Sequence, residues 1–224
     1  MTVRLAIFDC DGTLVDGQAA VCEAMEEAFA DVSEEAPPRT DIRRIVGLSL
    51  PQAVRHLAPR TSAAMQDAIV DAYKLSFRNS RMEGRLHEPL FEGIEQVLRD
   101  LHADGWALAV ATGKSDRGLT SCLTEHGVID LFSSLQTADR HPSKPHPDML
   151  HQAMTDTLAE PANSVMIGDT SFDIMAGQAA HIRSIGVSWG YHLPQELIDA
   201  GAQCVVDTAP EIVQQLAAMM ETVS

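Results

Sequence analysis

Two carboxylates one residue apart close a short apolar run near the amino terminus, in Ile7-Phe8-Asp9-Cys10-Asp11-Gly12-Thr13-Leu14. At the mouth of a buried strand such a pair suffers both desolvation and mutual repulsion. A bound cation, or a proton on one member, relieves both. Gly12 lets the chain turn sharply after the acids. Strand alternation points Cys10 away from them, which makes it a small core residue rather than a nucleophile. A plain polar turn closing a strand would contain the same residue types, so the pair alone does not decide the chemistry.

Three further segments carry similar groups. Val110-Ala111-Thr112-Gly113-Lys114 sets a hydroxyl before a glycine at a strand end, where Thr Oγ and backbone N–H groups can face an anion. In Ser143-Lys144-Pro145-His146-Pro147 two prolines restrain Lys144, whose ammonium suits neutralisation of phosphate or carboxylate. In Ile167-Gly168-Asp169-Thr170-Ser171-Phe172-Asp173 an acid again closes an apolar strand after a glycine. A helix starting beyond Asp169 would turn Asp173 back toward the strand end. A few carboxylates with water and phosphate completing the shell suit octahedral Mg²⁺.

The elements that must position these groups are short apolar runs alternating with helix-period stretches. Strands are predicted at Leu5 to Asp9, Trp106 to Thr112, Ser164 to Asp169, Ser184 to Trp189 and Cys204 to Asp207, with a weaker one near Leu135 to Thr137. Ile94, Val97, Leu98 and Leu101 share one helix face, as do Ile212, Val213, Leu216 and Met220. This alternation predicts an α/β fold, a Rossmann-like parallel sheet with helices on both sides and ligands beyond the carboxyl ends of the strands. From about Asp16 to Leu86 no strand pattern appears. Helix faces there are Val21, Met25, Ala28, Phe29 and Val32; then Leu50, Ala53, Val54 and Leu57; then Met65, Ala68, Ile69, Ala72 and Tyr73. Pro37-Pro38 must interrupt helix between the first two. The expected organisation is a core of residues 1–15 and 87–224 with a helical insertion at 16–86.

The 224 residues are 45% hydrophobic and 21% charged, as in ordinary soluble domains, and carry a formal net charge of −16. Such acidity argues against nucleic acid and anionic membrane as partners, and an anionic substrate would need a locally positive site. Cys10, Cys22, Cys122 and Cys204 form no CxxC pair, and no apolar run approaches a membrane span or signal peptide. The expected location is a reducing cytoplasm.

Four strand-end signals in this order resemble those of the haloacid dehalogenase superfamily. Its motifs occur here as Asp9-Cys10-Asp11-Gly12-Thr13, Thr112, Lys144 and Gly168-Asp169 with Asp173, and the insertion is similar to the family's small helical cap. The resemblance implies a Mg²⁺-dependent phosphatase with Asp9 as nucleophile and Asp11 as general acid and base. It further implies metal ligation by Asp9, Asp169 and the Asp11 carbonyl, with Asp173 supporting through water. Thr112, the Gly113 N–H and Lys144 would hold phosphate. Many relatives carry Asn after the Thr, so with Gly113 backbone N–H donation is expected to stand in. In the cap, Arg44, Gly47, Leu48 and Ser49 are expected to contact the rest of the substrate, with Arg44 on a carboxylate or second phosphate.

The substrate implied is a small anionic phosphate monoester, phosphoglycolate first. A phosphomutase similar to beta-phosphoglucomutase uses the same acids, and a non-catalytic regulatory relative would keep only the fold. Monomer and homodimer both remain open. His141, His146 and His151 lack a metal-site partner set. Trp189-Gly190-Tyr191-His192, which resembles a segment of phosphoglycolate phosphatase-like members, is read as packing and turn.

Overall fold

The computed structural model describes residues 2–221. The chain runs β1 (Leu5–Phe8), α1 (Gln18–Asp31), α2 (Arg39–Arg44), α3 (Leu50–Leu57), α4 (Ala63–Met82), α5 (Ile94–Ala103) and β2 (Ala107–Thr112). It continues through α6 (Asp116–Glu125), β3 (Ser134–Thr137), α7 (Asp148–Thr157), β4 (Ser164–Gly168) and α8 (Ser171–Ala179). It ends with β5 (Arg183–Val187), α9 (Pro194–Asp199), β6 (Cys204–Val206) and α10 (Ala209–Glu221).

The strands form one parallel sheet in the order β3-β2-β1-β4-β5-β6. Strand order reverses direction beside β1, where Phe8 lies opposite Val110 of β2 and Ile167 of β4. This register brings the segments after all three strands to one edge, the crevice where open α/β sheets bind ligands. The acids lie just outside the regular strands, since β1 ends at Phe8 and β4 at Gly168.

Alternation divides the core into two layers. Ala6 and Phe8 face one side with Val110, Ile167, Leu98 and Ile212; Leu5 and Ile7 face the other with Ala109, Met149 and Met166. Cys10 joins the first layer and is buried. Burying each large side chain of this kind contributes about 1.5–3 kcal/mol. The weak run near Leu135 forms the edge strand β3.

The segment without strand patterning contains only helices. α1 buries Val21, Met25, Ala28 and Phe29, and Pro38 holds an extended conformation immediately before α2. The third predicted face is shifted, because α4 buries Ile69 and Val70 whereas Ala68 is exposed. These helices share an apolar cluster including Met25, Phe29, Ile42, Val54 and Ile69. The excursion starts and ends on paired backbone: Asp16 N–H donates to the Pro89 carbonyl at 2.8 Å and Phe91 N–H to that of Leu14 at 3.0 Å.

Among the described residues no helix is long and apolar enough to cross a membrane.

Candidate active site

Asp9, Lys144, Asp169 and Asp173 converge at the edge of the sheet, all fully buried. The Lys144 ammonium lies 2.9 Å from Asp9 Oδ1 and 2.6 Å from Asp173 Oδ1, and donates to the Ala111 carbonyl at 3.1 Å. The Lys144-Pro145 peptide is cis. Asp169 accepts from the Thr13 hydroxyl at 2.8 Å and the Tyr191 N–H at 2.9 Å. Gly12 and Gly190 close over this carboxylate, and a Cβ on either would overlap it. The Trp189–His192 segment, read as packing and turn, therefore also holds an acid of the site.

Asp173 has a second task. Its Oδ2 accepts the Thr170 N–H at 3.0 Å and hydroxyl at 2.7 Å, completing a capping box that starts α8. Both of its oxygens are thus engaged within the protein.

Carboxylate oxygens of Asp9, Asp169 and Asp173 lie within 4.8 Å of one another. With Lys144 as counter-charge, three ionised acids would leave two negative charges uncompensated, which matches a divalent cation. Burial pushes the Asp9 carboxyl up to about 7, even though Lys144 pulls it down. Burial also raises Asp169 well above the ordinary carboxylate range, reinforced by the charges of Asp173 and Asp9. Asp9 Oδ2 is buried and has no hydrogen-bond partner. An orphaned carboxylate oxygen among acids fits a hard cation with oxygen ligands.

The Asp11 side chain lies outside that trio. Its Oδ1 is 3.0 Å from Lys114 Nζ, which also bonds Glu88 at 2.5 Å, and Arg81 of α4 approaches Glu88 at 3.5 Å. Burial alone would lower the Lys114 pKa, but Asp11 and Glu88 raise it, so the ammonium stays charged. Burial raises the Asp11 carboxyl, opposed by Lys114. Sequence reading missed Lys114 and Glu88 as a pair holding Asp11.

Thr112 is buried at the end of β2 and accepts the Lys114 N–H at 3.3 Å. Above Gly113 passes the loop between α2 and α3: the Ser49 N–H donates to Ser143 Oγ at 2.7 Å, and a Cβ on Gly47 would lie 3.0 Å from Thr170 Oγ1. Gly47, Leu48 and Ser49 thus sit against the loops that carry Thr112, Lys144 and Asp169. Arg44, expected to meet a carboxylate or second phosphate, has an exposed guanidinium that pairs with Glu196 on α9.

Asp9, Asp11 and Thr112 open into a cavity of about 440 Å³, with the 45–51 loop and α4 as its other walls. Lys74, Arg78, Arg81 and Arg117 line it, cations that sequence reading did not single out.

The sequence pattern of haloacid dehalogenase-like hydrolases matches residues 6–187. The chain is 34% identical to "Probable phosphatase IndB" of Dickeya dadantii, over 97% of this chain and 95% of that protein. It is 29% identical to a phosphoglycolate phosphatase of Colwellia psychrerythraea, over 95% and 96% respectively. In fold it is similar to a haloacid dehalogenase-like family hydrolase from Streptococcus pneumoniae, with TM-score 0.83, 21% identity and coverage of 95% and 98%. With these likenesses spanning both the sheet and its helical insertion, the chain belongs to the haloacid dehalogenase-like hydrolase family.

Proposed function

We propose that this protein is a Mg²⁺-dependent phosphatase that hydrolyses a small anionic phosphate monoester through a phosphoryl group carried transiently on Asp9. The observation that carries this reading is the buried, unpartnered Oδ2 of Asp9, beside Lys144 and two further acids at the floor of a cavity. Asp9 attacks phosphorus and the ester P–O bond breaks, with Asp11 giving its proton to the leaving alcohol. Asp11 then takes a proton from water as that water attacks the same phosphorus, releasing inorganic phosphate and the Asp9 carboxylate.

Asp9, Asp169 and the Asp11 carbonyl would hold Mg²⁺, with Asp173 reaching it through water and keeping Lys144 in place. When bound, the ion neutralises charge on the acids and on the phosphoryl oxygens. Lys144, Thr112 and the Gly113 N–H bind those oxygens. Residues 16–86 act as a cap, with Gly47, Leu48 and Ser49 closing the site against bulk water. The relatives named phosphoglycolate phosphatase support a compact anionic ester as substrate. The free thiols of Cys10, Cys22, Cys122 and Cys204 support a cytoplasmic location.

Phosphate release from phosphoglycolate, pyrophosphate and sugar phosphates, with and without Mg²⁺, tests the proposal. Release that needs no divalent ion, or that persists in Asp9→Asn protein free of deamidation, would overturn it. Equilibration of phosphosugar isomers without net phosphate release would assign a mutase instead.

A further inference from the structure

The cavity offers more than a two-carbon acid can occupy. On α4, the rings of Tyr73 and Phe77 stack with centroids 5.3 Å apart, the Lys114 ammonium stands 5.7 Å from the Phe77 ring centre, and both rings line the cavity together with the 45–51 loop. Met25, Leu50 and Met82 extend this apolar wall. A leaving group as small and polar as glycolate would leave much of this apolar lining uncovered, which its chemistry does not favour.

The same cavity gathers cations. Lys74, Arg78 and Arg81 recur at helical spacing along α4, and Arg117 enters from α6. Several arginines outside the cavity are matched with acids: Arg39 with Glu26, Arg99 with Glu95, Arg140 with Asp116 and Arg44 with Glu196. Among the described residues Lys74, Arg78 and Arg117 form no ion pair. Arg81 reaches Glu88 only at 3.5 Å, and its buried Nε has no hydrogen-bond partner. Asp139 also lines the cavity and accepts the Asp116 N–H at 2.8 Å. In a chain of net charge −16, four clustered cations, three of them outside any ion pair, form a local positive field suited to an anion.

We propose that the leaving group is an alcohol with a flat apolar body of ring size that ends in a second anion. The body packs on Tyr73 and Phe77 while the carboxylate or phosphate at its far end meets Arg78, Arg81 and Arg117. This rests on the phosphatase reading above and narrows its substrate class. Chemistry at Asp9 is unchanged; the alcohol released differs.

Three esters of primary alcohols separate the contributions: phosphoglycolate has the second anion without the body, benzyl phosphate the body without the anion, and 4-carboxybenzyl phosphate both. With Mg²⁺ present, kcat/KM for 4-carboxybenzyl phosphate should exceed each of the others by about tenfold or more, the scale of one well-placed group. Phe77→Leu, which keeps an apolar side chain but removes the ring, should shrink the advantage over phosphoglycolate. Arg78→Gln with Arg117→Gln should shrink the advantage over benzyl phosphate. A wild-type enzyme that handles phosphoglycolate as well as 4-carboxybenzyl phosphate would overturn this inference and leave the phosphatase reading standing. Absence of phosphate release from all three and from the wider ester panel would remove both.

Discussion

The carbonyl oxygen of Leu48 lies too close to where a Cβ on Gly113 would sit for any such atom to fit. Such an atom would also lie 3.0 Å from the Leu48 carbonyl carbon and 3.2 Å from the Gly47 oxygen. Since these are backbone atoms, no rotamer change could make room. The glycine that stands where many relatives carry Asn thus lets the 47–49 loop rest on the end of β2. The hydrogen bond from Ser49 N–H to Ser143 Oγ fixes the same loop beside Lys144.

Gly113→Ala is therefore expected to lift the loop rather than unfold the core. A shift on the order of 1 Å at a substrate-positioning element can cost about 10²-fold in turnover. The expected outcome is a fall of about ten- to a hundredfold in kcat/KM with little change in melting temperature. A crystal structure of the variant should show residues 47–49 displaced; unchanged kinetics would mean that loop contact contributes nothing.

Asp9→Asn should separate stability from activity. Burial pushes this carboxyl up to about 7, so its ionised form is disfavoured by the fold without a cation. Asn removes the repulsion with Asp169 and Asp173, while Lys144 keeps its 2.6 Å partner Asp173. The metal-free variant should thus melt no lower than metal-free wild type, although turnover falls by more than about 10⁴-fold. Mg²⁺ at a hundred times its Kd should stabilise wild type by about 2.7 kcal/mol, or roughly 2–4 °C per kcal/mol in a chain of this size, and the variant much less. Equal Mg²⁺-dependent melting shifts in the two proteins would argue against Asp9 as a ligand.

The residues of this site differ in how legible they are from sequence. Asp9, Thr112 and Asp169 each close an apolar run, and a parallel sheet must bring such ends to one edge, so their meeting follows from strand order. Lys144 is legible through its flanking prolines. Lys114 is not, because its meaning depends on Glu88, a residue 26 positions away that returns across the base of the helical insertion. Tyr191 is likewise tied to Asp169 by a backbone N–H, which no side-chain pattern announces. Arg44 is hard to place for another reason: α2 has only six residues, too few for a periodic pattern to define its faces. Local patterns reveal groups at strand ends, whereas pairs formed across loops depend on packing that spacing does not encode.

Lys114 supplies the next prediction. Its side chain is 9% exposed and that of Glu88 6%, so Lys114→Met would leave Asp11 and Glu88 buried without their shared ammonium. Breaking a buried pair in this way costs about 3–5 kcal/mol. The double variant with Glu88→Gln should recover part of that loss, which denaturant unfolding of all four proteins would measure as a coupling energy. Activity should fall as well, because Asp11 loses the contact that holds its carboxylate. A loss below about 1 kcal/mol together with unaltered kcat would show that the contact neither stabilises the protein nor places Asp11.

Arg44→Ala tests the placement of that residue. The guanidinium is 58% exposed and its partner Glu196 30% exposed, so screening by water limits the pair to about 0–1 kcal/mol. Because the Arg44 side chain does not line the cavity, KM should change by less than about twofold for any turned-over ester, well under one hydrogen bond's worth. The backbone contact between the Arg44 carbonyl and His192 Nε2, at 3.1 Å, survives the substitution and keeps the α2 end seated near Ser171. A tenfold rise in KM confined to substrates with a second anion would show instead that Arg44 leaves Glu196 and turns inward when the site fills. Its ion pair would then be the resting position of a binding group. Steady-state kinetics on phosphoglycolate and benzyl phosphate side by side distinguish these outcomes, since only phosphoglycolate offers that anion.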